Sequence, residues 1–302
     1  MFSKMNSSVK IGIAPINWSN DDMPELGENI TLELCLSDMQ AAGYIGTEFG
    51  HKFPKTADKL RPLLDTYDLS LAAMWHSTYF VDNADLEQEL DKLQQRIEFL
   101  TEMGTSVINL AECSRTVHNK KDIALSKKPI FNPQEWDRLI HGLNKAGELC
   151  NLYGIKAAVH HHMGTGIQSL GEIDRLMENT DPNAVFLCAD TGHLTFAGIN
   201  PLLVFEKYID RIVHVHLKDL RESVLEKVRA KDCSFLEAVL RHVFTVPGDG
   251  MIDFKPIFEI LASSAYDGWM IVEAEQDPAW ANPLRYAKTA RDYLNNIANN
   301  QL

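Results

Sequence analysis

Short apolar runs rich in β-branched residues alternate with longer amphipathic stretches along the whole sequence. A brief apolar run bounded by turn residues predicts a strand, and apolar residues at i, i+3, i+4 and i+7 predict a helix. On that reading the strands are Val9–Pro15, Gly46–Gly50, Ser70–Ser77, Ser106–Glu112, Ile155–His162, Ala184–Asp190, Ile212–Asp219 and Trp269–Glu275. The intervals between them read as helices, two of them with clear ends. Asp85–Met103 stops at Gly104, a residue suited to the left-handed position after a helix. Pro133–Tyr153 starts with Asn132 as N-cap and Pro133 in the first turn, and stops at Gly154.

Strands that alternate with helices imply right-handed parallel crossovers and hence an α/β fold. Eight such units predict closure into a (β/α)8 TIM barrel rather than an open sheet. No linker or composition break divides the sequence, so residues 1–302 are expected to form a single barrel domain. The longest departure from the rhythm, Leu220–Tyr266, predicts extra helix and loop between the seventh and eighth strands.

The polar residues fall where such a barrel would use them. The fifth strand ends in His160, His161 and His162, and the sixth in Asp190, with His193 three residues on. His214, His216, Lys218 and Asp219 mark the seventh strand, Glu273 and Glu275 the eighth, and Glu48 the second. A lone histidine on a strand is most often a hydrogen-bonded core residue, and a lone carboxylate a solvated rim group. Four successive strands ending in such groups point instead to a site at the carboxyl face of the barrel. Imidazole with carboxylate suits Mn²⁺, Co²⁺, Fe²⁺ or Zn²⁺ better than Mg²⁺ or Ca²⁺. Because side chains alternate, His160 and His162 share a face, as do His214 and His216, and Glu273 and Glu275. The expectation is one ligand from each strand, its neighbour serving as substrate contact or ligand support.

Composition narrows the field. Hydrophobic residues make up 45% and charged residues 24%, enough apolar material for a large core. The net charge of −13 argues against a nucleic-acid surface, which needs clustered Lys and Arg. Five dispersed cysteines, never spaced as a CxxC pair, fit a reducing compartment. Met1–Val9 has no apolar signal core and no 18-residue apolar run occurs, so the expectation is a cytoplasmic protein without membrane insertion.

The motifs DTGH (Asp190–His193), VHLKD (Val215–Asp219), PGDGMIDF (Pro247–Phe254) and GWMIVE (Gly268–Glu273) resemble the xylose-isomerase-like barrels. That superfamily includes endonuclease IV and several sugar epimerases and dehydratases. The resemblance implies metal ligands at Asp190, His216 and Glu273. Where that superfamily usually ends its fifth strand in glutamate, this sequence has His160, so either His160 or His162 stands as the fourth ligand or the protein supplies only three; His160 is taken first. A narrower resemblance spans nearly the whole chain. GIAPINWSNDDMPELG (Gly12–Gly27), GYIGTEFGHKFP (Gly43–Pro54), HHHMGTGIQ (His160–Gln168) and VEAEQDP (Val272–Pro278) look like the inosose dehydratases of myo-inositol catabolism. It implies a lyase that converts 2-keto-myo-inositol (scyllo-inosose) to 3D-(3,5/4)-trihydroxycyclohexane-1,2-dione and water. It also implies Mn²⁺ or Co²⁺, with glutathione as a further cofactor for which no site is legible.

Such a dehydration needs a Lewis acid on the ketone, a base for the adjacent hydrogen and an acid for the departing hydroxyl. His193 and His162 are the first acid/base candidates, with Glu48 after them. Lys218 could neutralise the enolate, or pair with Asp219 or Glu275. Trp18, Trp75, His76, Asp219 and Glu275 are the expected substrate contacts, and Trp18, Trp75, Phe49 and Phe80 the aromatic residues near the mouth. Gly164 and Gly166 give the loop after the fifth strand room, and Asp21–Asp22 mark a loop that could act as a lid. The partner is a small cyclitol ketone, with assembly into a homo-oligomer left open. Competing readings are a sugar or ketoinositol isomerase or epimerase on the same metal scaffold, an endonuclease-like phosphodiesterase, which the acidic balance opposes, and a noncatalytic sugar binder.

Overall fold

The computed structural model describes residues 9–82 and 85–299. Its strands are β1 (Lys10–Ile13), β2 (Gly46–Thr47), β3 (Ser70–Leu71), β4 (Trp75–Thr78), β5 (Val107–Glu112), β6 (Lys156–His160), β7 (Val185–Asp190), β8 (Ile212–Leu217), β9 (Asp219–Leu220), β10 (Phe244–Thr245) and β11 (Trp269–Val272). The main sheet runs β3-β2-β1-β11-β8-β7-β6-β5-β4, and every pairing in it is parallel. Its two ends are one continuous stretch of chain. Ala72 N–H donates to Thr47 O and Phe49 N–H to Ala73 O on one side, while Asn109 N–H donates to Met74 O on the other. The segment 70–78 is therefore a single stave that closes an eight-membered (β/α)8 barrel, with helices between successive staves.

Local chemistry sets the helix ends. Asp85 caps Leu86–Met103 by accepting from Glu87 N and Gln88 N, and Gly104 closes it at φ 75°. Asn132 and Glu135 form a reciprocal capping box at the start of Pro133–Leu152. The departure expected at Leu220–Tyr266 folds as helices Glu222–Ala230, Phe235–Leu240 and Lys255–Ser263, with β9 and β10 paired antiparallel. Phe235, Leu236, Val239 and Phe244 from this insertion form a second apolar cluster with Met163, Phe196 and Leu220, roofing one side of the barrel mouth. Among the described residues no helix is long and apolar enough to cross a membrane.

Candidate metal centre and active site

The carboxyl ends of β2, β6, β7, β8 and β11 converge as the alternation of side chains requires. His160 Nε2 lies 3.2 Å from His216 Nδ1 and 3.5 Å from Asp190 Oδ2. His216 Nδ1 is 3.4 Å from Asp190 Oδ2 and 3.1 Å from Glu273 Oε2. Ligand atoms at bond lengths of about 2.1 Å in a tetrahedron stand roughly 3.4 Å apart, so each of these four separations is one that two ligands of a single ion would show. Asp190 Oδ2 is buried and has no hydrogen-bond partner, whereas Asp190 Oδ1 caps the following helix at His193 N, 2.8 Å away. An orphaned carboxylate oxygen aimed at two imidazole nitrogens and a second carboxylate is the donor set a divalent transition metal takes.

Supporting contacts orient these groups. His216 Nε2 lies 3.1 Å from Glu48 Oε1, so its Nε2–H donates to the carboxylate and Nδ1 is turned to the centre. The same Glu48 oxygen receives His214 Nε2 at 2.7 Å and Asn109 Nδ2 at 2.9 Å. Burial would raise Glu48, but His216 and His214 hold it well below the usual carboxylate range. Burial also works against a charged His216; Cys188, Glu273 and Glu48 around it prevail and raise it well above the usual histidine value. Asp190 is held well below its ordinary value, Lys218 and His193 outweighing its burial.

Beside this cluster opens a cavity of about 400 Å³, an ordinary size for a small-ligand site. Glu48, His160, His162, His216, Glu273 and Glu275 line its floor, and Trp75, Phe49 and Tyr79 its wall. His162 Nδ1 is 2.8 Å from Met163 O, an acceptor only, so the neutral ring carries its hydrogen there and leaves Nε2 with a lone pair. Burial, then His118 and His160, keep His162 well below its usual value and therefore neutral. Glu275 is pushed up to about 7 by burial, with Lys218 working against the rise.

Other expected site residues take different places. His193 sits behind His162, ring centroids 3.9 Å apart, and its Nε2 faces the donor-only Lys218 Nζ at 3.1 Å. That nitrogen is committed as an acceptor, and the ring does not line the cavity. Trp18 packs in the core and donates its indole N–H to Asp38, 2.9 Å away. His76 alternates with Trp75 and Ser77, so its ring turns out of the barrel mouth; burial first, then Arg96, lowers it to about 4. Asp219 accepts from Leu220 N and Ile252 N and anchors the loop before Lys255 instead of facing the cavity. Phe80 is core, its ring filling the space beside Gly142. These placements correct the expected substrate roles of Trp18, His76 and Asp219.

The cavity also holds residues the strand pattern did not single out. His118, on the loop after β5, packs on His162 with ring centroids 5.1 Å apart. Thr116 Oγ1 ties that loop to Gly164 O. Asp21 pairs with His51 Nδ1 and Asp22 lies 3.9 Å from His118 Nε2, so the loop after β1 lines the cavity beside two imidazoles.

Comparison with known proteins places this geometry. Residues 36–297 match the family model described as Xylose isomerase-like TIM barrel. The chain is 51% identical over 289 residues to an inosose dehydratase of Geobacillus thermodenitrificans, spanning 95% of this chain and 97% of that protein. It is 50% identical over 295 residues to an inosose dehydratase of Clostridium tetani, spanning 97% and 98%. Among solved structures, the IOLI protein with a bound zinc atom superposes with a TM-score of 0.69 at 16% identity, over 95% of this chain and 97% of that one.

Proposed function

The chain belongs to the inosose dehydratases, within the xylose isomerase-like TIM barrels, and we infer from that membership a hydro-lyase that converts 2-keto-myo-inositol to 3D-(3,5/4)-trihydroxycyclohexane-1,2-dione and water. His160, Asp190, His216 and Glu273 would hold the divalent metal, with Mn²⁺ or Co²⁺ proposed for a mixed nitrogen and oxygen donor set. When bound, the ion supplies Lewis-acid polarisation of the substrate ketone.

The chain's own residues carry the proton transfers. His162 Nε2, unprotonated and at the cavity floor, takes the hydrogen from the carbon beside the ketone. Glu275, raised to about 7, returns a proton to the departing β-hydroxyl. Lys218, 2.8 Å from Glu275, holds that carboxyl in place and sets a fixed positive charge near the charge that develops on the ketone oxygen. Glu48 spends Oε1 on three donors, so Oε2 is its oxygen available to a ring hydroxyl. Trp75 and Phe49 give the ring an apolar wall. Glutathione rests on family resemblance alone. One barrel domain working in the cytoplasm on a small cyclitol, without nucleic acid or membrane, completes the proposal.

The observation that carries the metal chemistry is the unpartnered Asp190 Oδ2 facing His160 Nε2 and His216 Nδ1. Metal-stripped protein is incubated with 2-keto-myo-inositol, Mn²⁺ or Co²⁺ is added, and dione absorbance is followed. Product that appears only after metal addition supports the reading. Solvent deuterium entering recovered inosose without dione would assign the chain to isomerase chemistry instead.

A further inference from the structure

Lys218 has no exposed surface, and its ammonium is held by two of the assigned metal ligands, Glu273 and Asp190, together with Glu275 and His193. Nζ lies 2.6 Å from Glu273 Oε1, 2.8 Å from Glu275 Oε2, 3.1 Å from His193 Nε2 and 3.7 Å from Asp190 Oδ2. Independently of the lysine, His162, His193 and Glu275 bring ligand atoms within 4.8 Å of one another, a second donor set beside the first. Glu273 belongs to both: Oε2 faces His216 at 3.1 Å and Oε1 faces Lys218. A carboxylate split in this way is the bridging element of two-metal sites, whose ions sit about 3.5–4 Å apart.

The lysine is also built into place. A Cβ on Gly192 would meet Lys218 Cγ at 2.5 Å, so the glycine of DTGH makes room for the stem. Phe244 lies under the ammonium, 4.9 Å from ring centroid to Nζ. Lys218 N–H and Thr191 Oγ1 are 3.0 Å apart, and the same hydroxyl donates to Lys218 O.

We propose that the Lys218 ammonium fills the second cation position of a two-cation site. The chain therefore binds one divalent ion, and removing the lysine side chain opens a second site built from Glu273, Glu275 and His193, with His162 in reach. The buried carboxylates call for two positive centres here, and one of them is covalently attached.

The inference rests on the ligand assignment of the first site, and its test separates the two. Full-length wild type, Lys218→Ala and Lys218→Met are stripped, saturated with Mn²⁺, desalted and assayed for metal per chain and by electron paramagnetic resonance. One ion per wild-type chain with an isolated-Mn²⁺ spectrum is expected. The Lys218→Ala protein should carry two, with the exchange-coupled multiline spectrum of neighbouring ions, and Glu275→Gln added to it should return the count to one. Lys218→Met, which fills the vacated space, should hold fewer than two. Wild type carrying two ions overturns the role of Lys218, as does folded Lys218→Ala carrying one. A Lys218→Ala protein that excess Mn²⁺ cannot bring to the native circular-dichroism spectrum also overturns it, because a second ion should replace the lost charge. Wild type carrying no ion overturns the first site instead.

Discussion

Two histidines one turn of the pleat apart carry different expectations. His160 presents Nε2 to the carboxylate cluster, whereas His162 presents Nε2 to the cavity with Nδ1–H tied to Met163 O. His160→Ala should therefore weaken metal binding by at least ten- to a hundredfold, the range typical even of supporting groups. His162→Ala should keep metal content within about twofold and lower kcat by about 10²–10⁴, the usual contribution of a positioned base. Metal analysis and steady-state kinetics on the same preparations decide; loss of metal in His162→Ala would exchange the two roles. A third expectation concerns Glu112, which ends β5 and accepts from Phe80 N, Thr78 Oγ1 and Ser114 N. Burial outweighs those bonds and raises it to about 7 from the ordinary 4.5. The folded chain thus holds this proton more tightly than the unfolded chain. Its stabilising effect is complete below pH 4.5 and is lost as pH climbs to 7, by up to about 3.5 kcal/mol at about 1.4 kcal/mol per unit. Urea midpoints from pH 5 to 8 should fall more steeply for wild type than for Glu112→Gln; parallel curves would show an ordinary carboxylate. At this scale the ligand types were legible because each stands at the end of an apolar strand. Asn109 was not singled out, and His214 was marked without its partner, since a polar residue inside a strand declares no partner until Glu48 arrives from another stave. His118 was missed because loops have no periodicity to index them.

Elements reveal what the glycines do. Gly104 closes the helix Leu86–Met103 at φ 75° with open space where a Cβ would stand. Gly192, just after β7, has ordinary backbone but three Lys218 side-chain carbons within 2.8 Å of a built Cβ. The same substitution should then separate stability from function. Gly104→Ala should cost about 1 kcal/mol, the strain of a left-handed alanine, and leave kcat unchanged. Gly192→Ala should cost about 1–3 kcal/mol as an overpacked core does, and cut kcat at least tenfold by displacing Lys218 from Glu273 and Glu275. Denaturation curves beside turnover numbers check both, and a fully active Gly192→Ala enzyme would mean that the lysine position tolerates movement. The order of strands and the two best-marked helices were legible because helix period, caps and stop residues agree over long stretches. The paired lengths of the strands were not. The chain at 46–50 reads as a strand throughout, but only Gly46 and Thr47 pair as strand residues, with Phe49 N–H donating to Ala73 O beyond them.

For the molecule as a whole, the site is a concentration of negative charge on an already acidic chain. Glu48, Asp190, Glu273 and Glu275 gather at the barrel floor in a chain of net charge −13, with Lys218 the one buried lysine among the described residues to face them. Folding brings these carboxylates together, and an ion that binds only their folded arrangement stabilises the barrel by mass action. At free Mn²⁺ a hundredfold above its dissociation constant that gain is about 2.7 kcal/mol. A shift of roughly 2–4 °C per kcal/mol for chains of 150–250 residues makes the expected rise in Tm about 5–10 °C, a little less at this length. Asp190→Asn keeps volume and the helix-capping oxygen while removing the charge of the orphaned one, so it should abolish most of the metal-dependent rise. The same variant without metal should itself melt below metal-free wild type, because Lys218 and the surrounding imidazoles, which hold Asp190 well below its ordinary value, lose the charge they stabilise. Thermal melts of both proteins with chelator and with Mn²⁺ measure the difference of differences directly. If wild type and Asp190→Asn gain equally from the ion, the stabilising site lies elsewhere on the acidic surface and the centre at the barrel floor loses its claim.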